Sequence, residues 1–406
     1  MRINRDRSRA IFRRQNRGRG CLSWMVTLCM LGSVFFVFRG QLRDLLQTWL
    51  APPVASATLA DAQAAYNRGD LERAIAYTRE LHGALPDDTG TLVLLVRSLV
   101  YHSYADINQD DLRAEALTYT QAAVIRTPYD MTVLGIHAFT LQANNLSEDA
   151  QRVALRVIRN EPDSITARLA LSLAYSDQGI FEAGLRDAQR AVEIASLSAP
   201  AWQADAYRVV ALAQSDLGDY ADAAASVDTA ITHHSRLLAL HFERALYAQQ
   251  IGDMDTATAS YFSVIAFDED NVKARFRLCE VSSILGERDA AIDWCNQVTV
   301  SAPGWSDGWY TLGREYYLNG DWSEAQSALN RCSTLQVAQD VPIEEREFEC
   351  WYMQGQAAEV LRDCEALIPL YNQYQVMKNT ADLSQTWVYP DDTPPICASA
   401  TSSGDG

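Results

Sequence analysis

The sequence predicts an all-α solenoid built from one helix pair stacked many times, and three periodic observations support this fold class. An alanine or glycine recurs at Ala74, Ala116, Ala150, Gly184, Ala223, Ala257, Ala291 and Ala325, and five of the seven intervals are 34 residues. Another small residue stands twelve positions earlier at Ala62, Ala138, Ser172, Ala211, Ala245, Cys279 and Gly313. A glycine or asparagine stands five positions before the recurring residue at Gly69, Asn145, Gly179, Gly218, Gly252, Gly286 and Gly320. Such a period indicates one structural unit that packs on its neighbours.

Each unit is expected to contain a helix, a tight turn, a second helix and a short loop. The small residues let two helix backbones approach closely, where a larger side chain would separate them. Glycine or asparagine suits the left-handed conformation that ends a first helix. An aspartate follows and can cap the second helix, at Asp70, Asp219, Asp253 and Asp321. Proline ends several second helices, at Pro86, Pro128, Pro162 and Pro303.

One unit has a more specific pattern: Trp309, Leu312, Gly313 and Tyr316, then Gly320, Asp321, Trp322 and Ala325. This pattern resembles the tetratricopeptide repeat (TPR) family. The resemblance covers eight marked repeats over residues 55–340 and a ninth, degraded pair at 343–369, in which Gly355 marks the turn and Val360 replaces the small residue. It implies a right-handed superhelix of about eight to nine repeats with a concave groove. A Sel1-like array is the alternative, but its longer period disagrees with the 34-residue spacing.

Composition divides the chain into six segments. Residues 1–20 form a basic segment, residues 21–38 a transmembrane helix, and residues 39–54 a juxtamembrane linker. The solenoid is expected at 55–369, followed by a capping segment at 370–389 that includes Tyr371, Tyr374 and Met377. Residues 390–406 are rich in proline, serine and aspartate, so we expect them to be disordered.

The apolar segment near the N-terminus predicts a single-pass membrane anchor. Residues 21–38 carry no charge over 18 positions, which is just enough helix to cross a hydrocarbon core of about 30 Å. Eight arginines precede this segment, whereas only Arg39 and Arg43 follow closely. Basic residues stay on the cytoplasmic side, so we expect a cytoplasmic N-terminus and extracytoplasmic repeats.

Three alternatives to this anchor remain open. A signal peptide ending at Ala55, Ser56 and Ala57 could be cleaved, although this site lies far beyond the apolar run. Lipidation at Cys21 is disfavoured because this cysteine opens the apolar run instead of following it. The reverse orientation, with cytoplasmic repeats, runs against the arginine bias.

The charge distribution excludes one class of partner. The chain has a net charge of −18, and residues 1–44 hold ten arginines against two aspartates, which leaves −26 on the remainder. An acidic solenoid repels phosphate backbones, so we expect no nucleic-acid partner. The acidity is either a solvated surface or an attraction for a basic partner.

The cysteines suggest disulfides, and the remaining motifs suggest no catalysis. Six cysteines lie in the last third of the chain: Cys279, Cys295, Cys332, Cys350, Cys364 and Cys397. Outside the cytoplasm they can pair, and repeat geometry favours 279 with 295, 332 with 350 and 364 with 397. The alternative is that buried thiols replace alanine in the helix contacts. Without a Cys-x-x-Cys pair, a phosphate loop or a His-Glu-x-x-His motif, we expect no metal, no cofactor and no enzyme.

Helical periodicity assigns a set of residues to the concave face: Asp307, Tyr310, Arg314, Tyr317, Phe276, Glu280, Phe242 and Arg208. Aromatic and arginine side chains suit a protein or extended peptide ligand, although they can equally pack between helices. The leading hypothesis is a non-catalytic, membrane-tethered TPR scaffold that binds another protein through this groove. The alternative is a cell-envelope assembly or polysaccharide-biosynthesis accessory protein that binds a glycan or its enzymes, suggested by the tryptophans and tyrosines near the C-terminus.

Overall fold

The computed structural model describes residues 57–379, 387–389 and 394–397, and these residues contain eighteen α-helices in nine consecutive pairs. We number the pairs as repeats 1 to 9. The helices are α1 (Leu59–Asn67), α2 (Leu71–Ala84), α3 (Thr89–Ser103), α4 (Asp111–Arg126), α5 (Met131–Ala143), α6 (Ser147–Asn160), α7 (Ile165–Asp177), α8 (Phe181–Ser198), α9 (Gln203–Asp216), α10 (Tyr220–His233), α11 (Leu238–Gln250), α12 (Met254–Phe267), α13 (Val272–Ile284), α14 (Arg288–Ser301), α15 (Ser306–Asn319), α16 (Trp322–Ala338), α17 (Glu349–Leu361) and α18 (Cys364–Lys378). Short 3₁₀ turns occur at Pro200–Trp202, Ile343–Glu345 and Pro395–Cys397.

Several predicted segments lie outside the described residues. They are the basic segment 1–20, the membrane helix 21–38, the linker 39–54 and most of the tail at 390–406. Among the helices that the structure does describe, none combines the length and the apolar character needed to span a bilayer. The anchor therefore remains a prediction from sequence.

The recurring small residues lie where the two helices of each repeat meet. The seven recurring alanines are fully buried, and Gly184 is also buried. In repeat 4 the hydroxyl of Ser172 on α7 donates to the carbonyl oxygen of Gly184 on α8 at 2.7 Å. A methyl group on Gly184 would lie only 2.9 Å from the carbonyl oxygen of Ser172. The expected close contact between paired helices is confirmed at this position.

The turns between paired helices also follow the sequence pattern, with one difference. Six turn glycines have positive φ, and Asn145 takes the same conformation at φ 60°. Asp70 and Asp253 cap the following helices by accepting hydrogen bonds from the backbone N–H of Arg73 and Thr256. Asp219 and Asp321 occupy cap positions without a side-chain cap bond. The left-handed backbone conformation of the turn is thus kept more regularly than the side-chain cap of the helix that follows it.

The ninth pair is placed differently from the sequence expectation. Gly355 lies inside α17, and the left-handed turn falls at Arg362 with φ 56°. The prediction that Gly355 marks this turn is therefore wrong, as is the assignment of Val360, which is an exposed residue of α17, to the small position of the second helix. Gly355 instead takes the small position of the first helix, twelve residues before Leu367.

Helix α18 extends the ninth pair beyond its expected end at residue 369. It starts after Asp363, whose carboxylate accepts a hydrogen bond from the backbone N–H of Ala366, and it continues to Lys378. Tyr371, Tyr374 and Met377 are buried along it. The part of the capping segment up to residue 378 is therefore the second helix of repeat 9.

The solenoid closes on itself between repeats 1–2 and repeats 5–7, and α3 makes the central contact. Arg97 of α3 donates to Asp205 of α9 at 2.5 Å, and the Tyr101 hydroxyl donates to the same carboxylate at 3.0 Å. The side chains of Arg97 and Asp205 are only 5% and 1% exposed, so this ion pair lies in the interior. One apolar cluster joins Tyr66 and Tyr101 to residues of repeats 5 and 6, including Leu237.

A second set of bonds fixes the loop after α3 to the start of α13. Asp106 accepts from the backbone N–H of Lys273 at 2.8 Å and of Val272 at 3.3 Å, which places a carboxylate at the positive end of α13. The Asn271 side chain donates to the carbonyl oxygen of Ala105 at 2.9 Å, and Lys273 Nζ donates to that of Tyr104 at 2.8 Å. These hydrogen bonds fix which residues of the loop after α3 face which residues at the start of α13.

An extended segment covers the end of repeat 9. Trp387 is buried against α17 and α18, where its ring lies over Gly355. The backbone N–H groups of Trp387 and Tyr389 donate to the hydroxyls of Tyr374 and Tyr371 at 2.9 and 3.3 Å. The segment 387–389 therefore packs against both helices of repeat 9.

Disulfides join Cys279 to Cys295, Cys332 to Cys350 and Cys364 to Cys397, which are the pairs that repeat geometry favours. The first links the two helices of repeat 7, and the second links α16 to α17. The third attaches the tail to the start of α18. All three lie in repeats 7 to 9, so covalent bonds constrain the part of the solenoid that takes no part in the closure except through α13.

Candidate functional site: the inner face of α13, α15 and α17

The residues that periodicity assigns to the inner face include one equivalent position on each of the later first helices. The position ten residues before the turn residue is Arg208 in repeat 5, Phe242 in repeat 6, Phe276 in repeat 7, Tyr310 in repeat 8 and Tyr352 in repeat 9. All five are therefore equivalent in register. Their environments differ because the closure covers only the first two.

Arg208 and Phe242 are buried within the chain itself. Arg208 pairs with Glu243 at 2.6 Å, and its guanidinium lies 5.5 Å and 5.1 Å from the ring centres of Tyr101 and Tyr104. Phe242 is 8% exposed, and the ammonium group of Lys273 lies 4.5 Å from the centre of its ring. These two predicted groove residues are thus engaged by α3 and α13, and the surface accessible to a partner starts at α13.

Phe276 and Glu280 provide the α13 part of this surface, and both are partly exposed. The ring of Phe276 contacts that of Trp305 edge-on, with centres 4.8 Å apart. Glu280 accepts from Arg277 at 2.6 Å, so its charge is balanced on the same helix. This end of the surface is therefore apolar and electrically balanced.

Helix α15 holds four of the predicted residues together along one face. Asp307 is exposed, whereas Tyr310, Arg314 and Tyr317 are partly buried. Arg314 donates to Glu315 at 3.1 Å, and its guanidinium lies 5.9 Å from the centre of the Tyr310 ring. Tyr317 packs edge-on against Trp322 with ring centres 5.1 Å apart. These contacts restrict the side chains, so α15 presents a pre-ordered surface.

Arg314 shares a buried carboxylate with a second arginine. The Glu315 side chain is 0% exposed and also pairs with Arg288. The Ser283 hydroxyl donates to the same carboxylate at 2.9 Å. Because Arg288 and Arg314 share this one carboxylate, the charge of Arg314 is only partly neutralised, and it acts to lower the pKa of the neighbouring Glu347 and Tyr310.

Sequence reasoning missed the contribution of α17 and the residues that precede it. The Tyr317 hydroxyl donates to Gln356 Oε1 at 2.6 Å, and Gln356 Nε2 donates to the Tyr352 hydroxyl at 2.8 Å. Tyr352 and Gln356 stand ten and six positions before the turn residue Arg362, as Tyr310 and Arg314 do before Gly320. The register could have identified them, but placing the turn at Gly355 concealed it.

Two glutamates, Glu347 and Glu349, lie close enough to Tyr310 for their charges to act on its hydroxyl. Glu347 is anchored by its backbone N–H, which donates to Gln336 Oε1 at 2.8 Å. Burial raises the pKa of Glu347 to about 7, with further increases from a hydrogen bond to Glu349 and from the charges of Glu349 and Asp307. Burial first, and then the Glu347 charge, also raises the pKa of the Tyr310 hydroxyl, which stays protonated.

A separate cleft of about 500 Å³ opens along the closure, between repeats 1–2 and repeats 6–7. Its walls include Asp70, Glu72, His102 and Asp268, together with Arg236.

Across the described ranges, no three or more histidine, cysteine, aspartate or glutamate side chains are grouped so as to hold a metal ion. The polar and aromatic side chains of α13, α15 and α17 are suited to binding a partner through hydrogen bonds, ring contacts and charge.

The comparisons with known proteins identify the fold. No protein-family model and no curated protein matches the chain. A chain of the APC/C hetero-tetramer Cut9–Hcn1 matches 77% of this chain with a TM-score of 0.54 and 15% identity, and the match spans 58% of that chain. The C-terminal part of a TPR repeat-containing protein from Cytophaga hutchinsonii matches 61% of this chain and 96% of its own, with a TM-score of 0.50 and 13% identity. By fold, the chain is an all-helical solenoid similar to those of TPR-repeat proteins.

Proposed function

We propose that this chain is a non-catalytic scaffold that binds an extended segment of another protein on the inner face of α13, α15 and α17. The observation that carries the proposal is the row of partly exposed side chains Phe276, Tyr310, Arg314 and Tyr317, fixed by contacts within the repeats. Stacked helix pairs present an extended concave surface, and tyrosine and arginine are the residues that contribute most at protein interfaces. The corresponding residues of repeats 5 and 6 are engaged internally, which directs a partner to repeats 7–9.

The proposal includes a membrane tether formed by residues 21–38, with a cytoplasmic N-terminus and extracytoplasmic repeats. The arginine bias of residues 1–20 supports this orientation. The three disulfides of repeats 7–9 support it independently, because disulfides persist outside the reducing cytoplasm. A scaffold in this arrangement holds its partner close to the outer surface of the bilayer.

The second candidate function is an accessory role in envelope assembly, with a glycan or a glycan-processing enzyme as the ligand. The partly exposed rings of Trp305, Trp309 and Trp322 favour it, since flat rings suit sugar faces. Trp351 and Trp387, by contrast, are buried in the core of repeat 9. The aromatic surface near the C-terminus is therefore smaller than the sequence suggests, which favours the protein-binding candidate.

The proposal is tested by co-purification of partners with the full-length chain from native membranes. Tyr310→Ala/Tyr317→Ala removes two rings from the inner face and is expected to reduce the recovered partner at least about tenfold, the size of an interface hot spot. The matched control is Ile125→Ala/Tyr129→Ala, which removes two side chains that are 82% and 80% exposed. Circular dichroism verifies that both variants stay helical.

Partner recovery that is equal for the two folded variants would exclude the inner face as the binding site. Specific binding of the wild-type chain to a glycan array, in the absence of a protein partner, would instead support the envelope-assembly candidate.

A further inference from the structure

The extended segment 387–389 lies on repeat 9 as a strap that is fixed by its backbone and by alternate side chains. The backbone N–H groups of Trp387 and Tyr389 donate to tyrosine hydroxyls of α18, and the Tyr389 hydroxyl donates to Glu359 of α17 at 2.9 Å. Trp387 is only 5% exposed, whereas Val388 between the two aromatic residues is 57% exposed. The strap therefore binds both helices of repeat 9 and turns its middle side chain to solvent.

The strap is linked to the inner face through α17. The Trp387 ring packs edge-on against the Tyr352 ring, with centres 6.0 Å apart. The Tyr352 hydroxyl accepts a hydrogen bond from Gln356 Nε2 at 2.8 Å, and Gln356 Oε1 accepts one from the Tyr317 hydroxyl at 2.6 Å. Tyr317 belongs to the inner face of α15, so one ring contact and two hydrogen bonds connect the strap to that face.

A glycine in the interior of α17 makes room for the strap. A methyl group on Gly355 would lie only 2.1 Å from Cη2 of Trp387, and its three nearest atoms all belong to that ring. Glycine in the interior of a helix lowers the stability of the helix. The ring that Gly355 accommodates is a physical reason for a glycine at this position.

The disulfide that holds the tail differs from the other two in its exposure. Cys397 is buried, but its partner Cys364 at the start of α18 is partly exposed. The four cysteines of the other two disulfides are all 0% exposed. Because a thiolate must reach a sulfur atom to break a disulfide, we expect the Cys364–Cys397 bond to be reduced first.

We propose that the strap positions Tyr317 of the inner face, and that reduction of the Cys364–Cys397 disulfide by a dithiol releases the strap and weakens partner binding. A thiolate of the dithiol attacks Cys364 Sγ and forms a mixed disulfide, while the Cys397 sulfur leaves as a thiolate. The second thiol of the dithiol then displaces Cys364 and closes the reductant's own disulfide. The dithiol is thus oxidised, and its two protons end on the two cysteine sulfurs.

The inference rests on the proposed function and adds its regulation. The disulfide closes a loop with a sequence separation of 33, which keeps the strap at a high effective concentration beside repeat 9. After reduction, only the contacts of Trp387 and Tyr389 hold the strap, so it spends more time away from the repeat. Tyr352 then loses its contact with the Trp387 ring, and the hydrogen bonds of Gln356 and Tyr317 lose their fixed geometry.

The first measurement needs no partner. Fluorotyrosine is placed at position 317 of the full-length chain in detergent micelles, and fluorine NMR reports the surroundings of this ring. Trp387→Ala and Gly355→Ala should both shift or broaden the signal, the first by removing the tryptophan ring and the second by displacing it. Trp387→Phe keeps a ring and should retain most of the wild-type signal. The control Val388→Ala shortens an exposed side chain of the strap and should leave the signal unchanged.

The second measurement is a graded reduction of the wild-type chain with dithiothreitol, after its free thiols have been blocked. Alkylation followed by mass spectrometry should find Cys364 and Cys397 modified before the cysteines of the other disulfides. The binding probe is a fluorescent peptide that is selected by phage display on the oxidised chain and depends on Tyr310 and Tyr317. Its affinity, measured by anisotropy, should fall about tenfold when this disulfide alone is reduced, as for the loss of one hot-spot contact. Cys364→Ser/Cys397→Ser should bind weakly with and without dithiothreitol.

The outcomes separate this inference from the proposed function. An unchanged fluorine signal in folded Trp387→Ala and Gly355→Ala would overturn the positioning role of the strap, even if Tyr310→Ala/Tyr317→Ala abolishes partner binding. Simultaneous reduction of all three disulfides, or full peptide affinity after selective reduction, would exclude release of the strap by a dithiol. If no selected peptide depends on Tyr310 and Tyr317, the proposed function fails, whereas the fluorine signal still decides whether the strap positions Tyr317.

Discussion

The absence of a side chain at position 184 sets how closely α7 and α8 approach. Its Cα faces the carbonyl oxygen of Ser172, which belongs to a helix backbone and cannot rotate away. Gly83 lies near the end of α2, where an added methyl group would meet no atom within 4 Å. The two glycines thus have opposite roles, although both lie in second helices.

We predict opposite stability changes for Gly184→Ala and Gly83→Ala. The first should lower the stability of its repeat by about 1–3 kcal/mol, because the methyl group forces the helices apart. The second should raise stability by up to about 1 kcal/mol, because alanine restricts the unfolded chain and favours helix. Thermal unfolding of the full-length variants measures both. Equal midpoints for the two variants would contradict the assigned role of Gly184.

At the residue scale, predictions from the sequence are confirmed where a residue makes its contacts within its own repeat. The small residues and the positive-φ turns depend on contacts within one helix pair, so the 34-residue period locates them. The period also assigns the residues from Phe276 to Tyr317 to the inner face, and their role in binding stays a prediction. Glu347 and Tyr352 were missed because the ninth turn falls at Arg362, which is not a glycine, and the period alone could not place it.

At the element scale, α3 is the helix whose environment differs most from that of a solenoid helix. A regular repeat packs only on its neighbours, but α3 also packs on α9, which lies three repeats further along the chain. Its Arg97 and Asp205 are partners in a buried ion pair, with Tyr101 donating to the same carboxylate. The specificity of the closure depends on this pair.

We predict that Arg97→Met is strongly destabilising and that a second substitution reverses the effect. Removing one partner leaves Asp205 charged in the interior, at a cost of about 3–5 kcal/mol. Arg97→Met/Asp205→Leu replaces the pair by apolar side chains and should recover most of that loss. Arg190→Met, which breaks an exposed pair with Asp163, should change stability by about 1 kcal/mol or less.

Amide hydrogen exchange, measured separately for α3 and α9, reports these changes in stability locally. Rapid exchange in both helices is expected for Arg97→Met, with protection restored in the double variant. If the double variant exchanges as fast as the single one, the ion pair has a role in the closure beyond neutralising a buried charge.

The closure itself could not be read from the sequence. The period predicts contacts between consecutive helices, and those are the contacts found throughout repeats 1–9. Contacts between α3 and α9 depend on the superhelical curvature, which accumulates from small rotations at each interface. For the same reason the sequence placed Arg208 and Phe242 on an accessible groove, whereas the curvature brings α3 and α13 against them.

At the scale of the whole molecule, the oxidation state of the cysteines tests the proposed extracytoplasmic location of the repeats. The chain has eight cysteines, and the structure pairs the six of its last third. Cys21 and Cys29 belong to the predicted anchor and lie outside the described residues. An extracytoplasmic solenoid should therefore retain two free thiols.

We predict two maleimide–polyethylene glycol adducts on the full-length chain when cells are lysed in denaturant that contains the reagent, and eight when the denatured lysate is reduced before the reagent is added. Cys364→Ser should increase the first number to three, because it frees Cys397. Eight adducts before reduction would place the repeats in a reducing compartment and overturn the proposed orientation. A reporter enzyme fused at the C-terminus provides an independent measurement of the same topology.

The closure also determines the order in which the chain can complete its folding. Within a repeat, hydrogen-bonded partners are close along the sequence, so each pair can form as soon as it is synthesised. The bonds of Asp106, Tyr104 and Tyr66 reach residues 166 to 169 positions later. Repeats 1 and 2 therefore cannot complete these contacts until the chain has emerged as far as Lys273. Until then, part of their apolar surface stays exposed. During that interval the exposed apolar surface of the nascent N-terminal repeats favours their aggregation.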